Sequence, residues 1–257
     1  MTSATLAAST ALLRSTRGPA TWGQRDMAAA VLAHYDPRTA FAGQRPFRLL
    51  EAGGGSSSWV PLPAGGEITT VDISQEQLDR NTYASEKLLG DLETFDYGCR
   101  RFDLIVCWDV LEHLQHPEAA IDRFMSILQP GGRLIIKGPL PRSLKGFVTR
   151  FSPHAVHVAF YRYILGLKTA GTPGYAPFKA YLKPAADPHT IAELLAARGL
   201  AVDVIEGYES DQVSYIEAKS RLLLAAYRVG EAVLSAVSLG RYSKGMTDFF
   251  LIARRPA

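Results

Sequence analysis

Between residues 47 and 139 the chain repeats one pattern, a short and almost wholly apolar run followed by a turn or a helical stretch. FRLLEA (47–52) runs into a glycine-rich turn, EITTVDI (67–73) into SQEQLDRNTYA with Ser74 placed as an N-cap, and KLLGDL (87–92) is a third short run. FDLIVCWDV (102–110) leads into PEAAIDRFMSIL, where Pro117 suits a first helical turn and Ala120, Ile121, Phe124, Ile127 and Leu128 share a face. QPGG is expected to end that helix and RLIIKGP (133–139) to form the next strand. Apolar strands alternating with amphipathic helices predict an α/β fold, a Rossmann-like doubly wound and mostly parallel sheet covered on both faces. In such sheets ligands gather at the carboxyl ends of the strands, where the strand order reverses. Glu51, Asp72, Asp91 and Asp109 each fall at or just beyond a predicted strand end, so four carboxylates are expected along one edge.

The alternation breaks after Gly138 for about forty residues rich in aromatic, basic and histidine side chains. It resumes at DPHTIAELLAARGL, a helix closed by Gly199, and the strand AVDVIEG. A single long helix is expected over Tyr215 to Val237, then a last strand in TDFFLIARR (247–255). The break reads as an insertion, and long insertions beside a ligand edge are usually lids or substrate walls.

A length of 257 residues suits one domain, and 47% hydrophobic with 21% charged residues is ordinary for a globular chain. A net charge of +3 is too small to argue for nucleic acid as a partner. Cys99 and Cys107 are the only cysteines and sit at no metal-ligand spacing, which points to neither zinc nor a disulfide framework and to a reducing, cytoplasmic setting. The first eighteen residues lack the build of a secretory signal. The longest apolar stretch, Leu222 to Leu239, is interrupted by Arg228 and Glu231, so a buried or interface helix is expected there rather than a membrane span.

The turn EAGGGSSSW narrows the ligand. A dinucleotide fingerprint would need a glycine where Ser58 stands, and a phosphate loop of the GxxxxGK type is absent. Glu51, placed beside the turn, would repel a pyrophosphate and attract a cation. The turn therefore suits a ligand with a positive end.

E-A-G-G-G-S at 51–56, VDIS after the second strand, GDLE at 90–93, FDLIVCWDVLEHL at 102–114 and LQPGGRLIIKGP at 128–139 together resemble the class I S-adenosylmethionine-dependent methyltransferases. The likeness is close over residues 45–140 and one of element order over 185–257. It implies a seven-stranded sheet whose last strand is antiparallel, a helical lid, and S-adenosylmethionine as cofactor. It implies one domain made of an N-terminal helical cap (1–45), a cofactor-binding core (46–138), a lid or substrate insertion (139–184) and the C-terminal part of the core (185–257). In the cap, the stretch Ala8 to Tyr35, with Trp22, would close over the site.

By the same resemblance Gly53 and Gly55 let the backbone approach the methionine portion, with Glu51 near its ammonium. Asp72 accepts from the ribose hydroxyls and Ile73 packs on adenine. Asp91 takes the adenine amino group, Leu92 donates from its backbone, and Cys107 and Trp108 wall the cofactor. Ser57 stands where the family pattern has its third glycine.

Methyl transfer needs an aligned nucleophile and, for a hydroxyl, a proton acceptor. Asp109-Val-Leu-Glu112-His113 offers one in His113. The cluster is also similar to the E-x-x-E-H of ubiquinone-biosynthesis O-methyltransferases, which is associated with a divalent metal there. Plain helix-start residues are the reading preferred here to a metal site. His154 and His157 in the insertion share a helical face with Phe160 and Tyr161, a spacing that serves a packing face and a proton-accepting pair equally. Arg142, Lys145, Arg150, Arg162, Lys179 and Lys183 surround them and suit an anionic substrate, or else a solvated basic face.

The expected function is methyl transfer to a small, partly aromatic or lipophilic metabolite, with oxygen preferred to nitrogen or carbon as acceptor, in a specialised biosynthetic pathway. The alternative is a cyclisation or rearrangement that uses the bound cofactor without transferring its methyl group. A small-molecule substrate, no nucleic acid, no membrane span and an admissible homodimer complete the expectation.

Overall fold

A computed structural model describes residues 14–15, 24–41 and 45–257. The strands are β1 (Arg14–Ser15), β2 (Arg48–Ala52), β3 (Glu67–Asp72), β4 (Glu86–Leu89), β5 (Phe102–Trp108), β6 (Leu128–Pro139), β7 (Ala201–Tyr208) and β8 (Asp248–Arg254). They form one sheet in the order β1-β7-β8-β6-β5-β2-β3-β4. β8 runs antiparallel to both its neighbours, β6 and β7, and every other pairing is parallel. The seven expected strands are all present. The two-residue β1 lies within the segment expected to form a helical cap and adds an eighth strand at the β7 edge.

The helices are α1 (Gln24–His34), α2 (Pro37–Ala40), α3 (Gln75–Arg80), α4 (Pro117–Ile127), α5 (Leu144–Phe151), α6 (His154–Ala159), α7 (Pro188–Ala197), α8 (Gln212–Lys219) and α9 (Arg221–Val237). On one face of the sheet Ala120, Ile121 and Phe124 of α4 and Ile191 and Leu195 of α7 pack on Leu50, Ile105, Ile136 and Leu251. On the other, Met27 and Val31 of α1 pack on Leu49, Leu104, Ile135 and Phe250. Each strand residue so buried contributes about 1.5–3 kcal/mol of transfer free energy, which fixes the alternation of faces along every central strand. Trp22 and the first thirteen residues of the expected cap lie outside the described residues.

Local chemistry sets the element ends. Ser74 caps α3 by accepting from the Gln77 amide, as its position predicts, and Asp187 caps α7 by accepting from the His189 amide. Two boundaries differ from the sequence expectation. QPGG does not separate α4 from the next strand; β6 begins at Leu128 opposite Phe102, and the register then shifts so that Leu104 faces Arg133. The long helix expected over 215–237 is two helices, because Ser220 is extended (φ −168°, ψ 125°) and its hydroxyl caps α9 by accepting from the Leu223 amide. A serine hydroxyl satisfies an orphan amide that a continuous helix would have bonded to its own backbone.

The chain order reverses between β2 and β5, which are hydrogen-bonded neighbours. Their carboxyl ends at Ala52 and Trp108 therefore flank the crevice where a doubly wound sheet binds its ligand.

Candidate active site

Every strand of the sheet's middle delivers a polar group to one edge. Glu51, Asp72, Asp91 and Asp109 sit at or just past the ends of β2, β3, β4 and β5, as expected. Lys137 near the end of β6 and Tyr208 at the end of β7 join them, and the antiparallel β8 begins on the same edge with Asp248, opposite Pro139 and Tyr208.

The glycine turn follows β2. Gly53 and Gly55 have φ of 72° and 51°, a region open to glycine and costly for other residues. A Cβ on Gly53 would lie 2.5 Å from Val110, and one on Gly54 would lie 2.9 Å from Glu51 Oε2, so the turn has no room for side chains. Glu51 is buried. Ser58 donates to its Oε1, while Oε2 has no partner among the described residues. Burial outweighs the Ser58 and Tyr83 hydroxyls and pushes the Glu51 carboxyl up to about 7. A buried carboxylate oxygen left without a donor, beside a backbone stripped of side chains, is what an ammonium-bearing ligand requires. The residues present thus fit the methionine end of the cofactor that the resemblance implies.

Asp72 continues the groove. It accepts from the Ser74 amide at 2.8 Å, and Ile73 beside it is 74% exposed, an apolar side chain left open at the ligand edge. Burial raises the Asp72 carboxyl above its ordinary range despite amide donors from Ser74, Gly55 and Ile73. Asp91 accepts from the Glu93 amide at 2.9 Å and is half-buried, and Leu92 next to it is buried. Cys107 is buried, which pushes its thiol up and leaves it a packing residue. Trp108 stacks on Trp59 with ring centroids 6.3 Å apart, so the tryptophan that follows the serines shares that wall.

Beyond Trp108 lies a charged cluster that the sequence reading did not identify. The buried Lys137 ammonium donates to Asp109 Oδ1 at 2.6 Å and lies 3.9 Å from Asp248. Lys145, on α5 of the insertion, bonds both oxygens of Asp248 at 2.7 and 2.8 Å. Burial alone would depress the Lys137 ammonium, but the charges of Asp109 and Asp248 outweigh it and hold it well above its ordinary value. Asp248 is the mirror case: burial would raise it, and Lys145 and Lys137 draw it down. Asp109 has φ 55°, a strained backbone for a residue with a side chain, and the Lys137 pair holds it there. The only signal in the sequence was a charge inside each of two apolar strands, IIKGP and TDFFLI.

The strand-end turn Leu111–His113 follows directly. Glu112 is buried with its Oε2 unpaired among the described residues, and burial together with Asp109 pushes its carboxyl up to about 8. His113 Nδ1 lies 2.9 Å from the Lys179 carbonyl, which assigns the proton to Nδ1 and leaves Nε2 as an acceptor, 4.0 Å from Glu112 Oε1. Burial lowers the His113 pKa and keeps the ring neutral. Asp109, which a metal site would enlist, is instead bound by Lys137, and no group of three or more metal-ligating side chains is set for an ion among the described residues.

The lid histidines are placed differently. His154 and His157 share a face of α6, their rings 6.3 Å apart, but His154 is exposed and His157 Nε2 is bonded to Ser152 Oγ at 2.7 Å. Tyr161, in the π-helical turn Phe160–Ile164, is the insertion residue whose phenol feels Lys145, Asp109 and Asp248. Three of the six lid cations already have internal partners: Arg142 pairs with Asp187 at 3.0 Å, Lys145 with Asp248, and Arg162 donates to the Ala170 carbonyl at 2.7 Å. Lys179 lies 5.0 Å over the Tyr181 ring and Arg150 lies 5.4 Å over that of Phe151. Of the two roles these cations suit, an anionic substrate or a solvated face, the bonded ones serve neither freely, since each is already held within the fold.

A family model described as a methyltransferase domain matches residues 22–204. The ubiquinone biosynthesis O-methyltransferase of Coxiella burnetii is 28% identical over 133 residues, covering 49% of this chain and 53% of that protein. That of Xylella fastidiosa is 28% identical over 176 residues, covering 62% and 63%. The chain thus spans a little over half the length of the curated relatives it matches. Among solved structures, the (4+2) cyclase SpnF superposes with a TM-score of 0.52 at 18% identity, covering 90% of this chain and 80% of that one.

Proposed function

The chain belongs to the methyltransferase domain family of class I S-adenosylmethionine-dependent enzymes, with S-adenosylmethionine as cofactor, and from that premise we propose that it methylates an oxygen of a small-molecule metabolite. The observation that carries the cofactor site is the unpaired, buried Glu51 Oε2 beside the side-chain-free turn. In this reading Glu51 receives the ammonium of the cofactor, Gly53 and Gly55 admit its chain, Asp72 accepts from the ribose hydroxyls, and Ile73, Asp91 and Leu92 hold the adenine. Trp108 closes the wall, with the buried Cys107 packed behind it. The bound cofactor supplies an electrophilic methyl group on a sulfonium.

His113 is the proton acceptor. Its ring is neutral, its Nδ1 proton is held by the Lys179 carbonyl, and its Nε2 lone pair, 4.0 Å from the buried Glu112 carboxyl, can take the proton of an acceptor hydroxyl. The Lys137–Asp109 pair fixes the backbone from which that turn departs. Oxygen is supported by the presence of this base, since a positively charged amine product could lose its proton to water, and by the 28% identity to proteins named O-methyltransferases. A specialised biosynthetic pathway is the setting we propose for it. Incubation with methyl-labelled S-adenosylmethionine and a small-molecule extract tests the reading: label should enter an alkali-stable ether in a His113-dependent manner. Cofactor binding with no label transfer to any acceptor would contradict it.

A further inference from the structure

Helix α9 is amphipathic in the sense opposite to that of a solvated helix. Its polar residues point inward: Glu231 and Ser235 are buried, and Arg228 reaches back to Glu209 and to Glu231 Oε2, the latter at 2.8 Å. The outward face carries Leu222, Val229, Val233 and Val237, which are 79, 62, 55 and 73% exposed. Every exposed residue from Leu222 to Val237 is apolar, and Leu239 beyond the helix is also exposed. A helix of 17 residues presents this face over about 25 Å. Solvated helices put their charges on that side, and an uninterrupted apolar face of this length marks an interaction surface.

Helix α5 extends the face. Leu144 lies 3.1 Å from where a Cβ on Gly230 would sit, so α5 packs across the middle of α9, and the Phe147 ring lies 6.1 Å from Tyr242 just past its end. Val148 and Phe151 of α5 are exposed. Charge identifies the occupant. Lys219 and Arg221 stand exposed at one end of α9, Arg241 and Lys244 past the other, and the one carboxylate between residues 218 and 247, Glu231, is buried. Glu217 on α8 is the exposed acid nearest the first end, where Lys219 and Arg221 outnumber it, and an apolar face bordered at both ends by a cationic excess is complementary to an anionic lipid surface. Arg228 and Glu231, together with the length, rule out crossing; no described helix is long and apolar enough to span a bilayer.

We infer that the outer face of α9 with the adjoining α5 docks on anionic membrane lipid, α9 lying in the headgroup plane. Lys145 ties α5 to Asp248 at the candidate site, so one helix adjoins the bilayer and the charged cluster together. A lipophilic acceptor drawn from the bilayer follows if the methyl-transfer reading holds; the docking itself does not depend on that reading.

Flotation of the full chain with phosphatidylcholine vesicles, with and without phosphatidylglycerol, tests the docking and uses no cofactor. Binding is expected only where phosphatidylglycerol is present, to fall at least about tenfold in Val229→Glu/Val233→Glu, and to weaken in Arg241→Glu/Lys244→Glu and with added salt. An unchanged thermal melt and unchanged S-adenosylhomocysteine binding certify that the variants fold. Absence of wild-type binding to anionic vesicles overturns the inference, as does binding that survives Val229→Glu/Val233→Glu. Gel filtration showing a dimer that this double variant dissolves, without vesicle binding, would assign the face to a second copy of the chain and likewise overturn it.

Discussion

Ser58 donates to one oxygen of the Glu51 carboxylate and leaves the other buried and unpaired among the described residues, so the two side chains hold an acceptor in place without satisfying it. Such a group costs the protein stability until a cation arrives. With its pKa raised from an ordinary 4.5 to about 7, the cost sets in as pH rises above about 4.5 and is complete above about 7. Glu51→Gln should therefore stabilise the cofactor-free protein by about 1–3 kcal/mol at pH 8 and by little at pH 4.5. The same variant should lose cofactor affinity. Urea melts at the two pH values check the first part.

The same carboxyl makes binding pH-dependent. A bound ammonium lowers the Glu51 pKa, so at pH 7 cofactor binding should release protons, and affinity should rise from pH 5.5 to pH 8. Calorimetry in buffers of different ionisation enthalpy reads the proton release directly. Its persistence in Glu51→Gln would assign the proton elsewhere.

Gly53 tests the turn by sterics. Gly53→Ala places a Cβ at positive φ and 2.5 Å from Val110, and should cost about 1–3 kcal/mol together with cofactor binding. Adding Val110→Ala should recover the overlap part of the loss and leave the backbone part, as denaturant midpoints of the single and double variants will show.

Lys137→Met leaves Asp109 and Asp248 facing each other across a buried site. It should destabilise by about 1–3 kcal/mol, measured by urea denaturation, since Asp109 loses its ammonium donor while Asp248 keeps both bonds from Lys145.

His113→Ala should lower the methylation rate by about 10²–10⁴-fold, the usual contribution of a positioned base. His154→Ala and His157→Ala should leave it near the wild-type value, because one ring is in solvent and the other is held by Ser152. In wild type the rate should rise through a pKa below 6.5, the direction in which burial moves His113.

Much of this fold was legible because its signals are local. The apolar runs, the Ser74 cap and the glycines at 53 and 55 each follow from neighbours within a few residues, and together they place four carboxylates on one edge. What escaped depends on distant partners. Lys137 reads as the polar end of a strand until β8 brings Asp248 to it from more than a hundred residues away. The break at Ser220 was hidden because a serine serves a helix interior and a cap alike, and only its extended backbone, with the hydroxyl accepting from the Leu223 amide, shows which role it takes. Glu112 could be seen as a helix-start residue but not as a buried one, since burial is a property of what the insertion lays over it: the amides of Tyr181 and Leu182 both donate to the Glu112 carbonyl.

The central claim is that the turn after β2 and the aspartate after β3 hold one cofactor. Calorimetric titration of S-adenosylhomocysteine into wild type, Glu51→Gln and Asp72→Ala tests it most directly. Micromolar binding to wild type, with loss in both variants while their circular dichroism stays native, is the expected result. Binding of equal strength in all three folded proteins would contradict it.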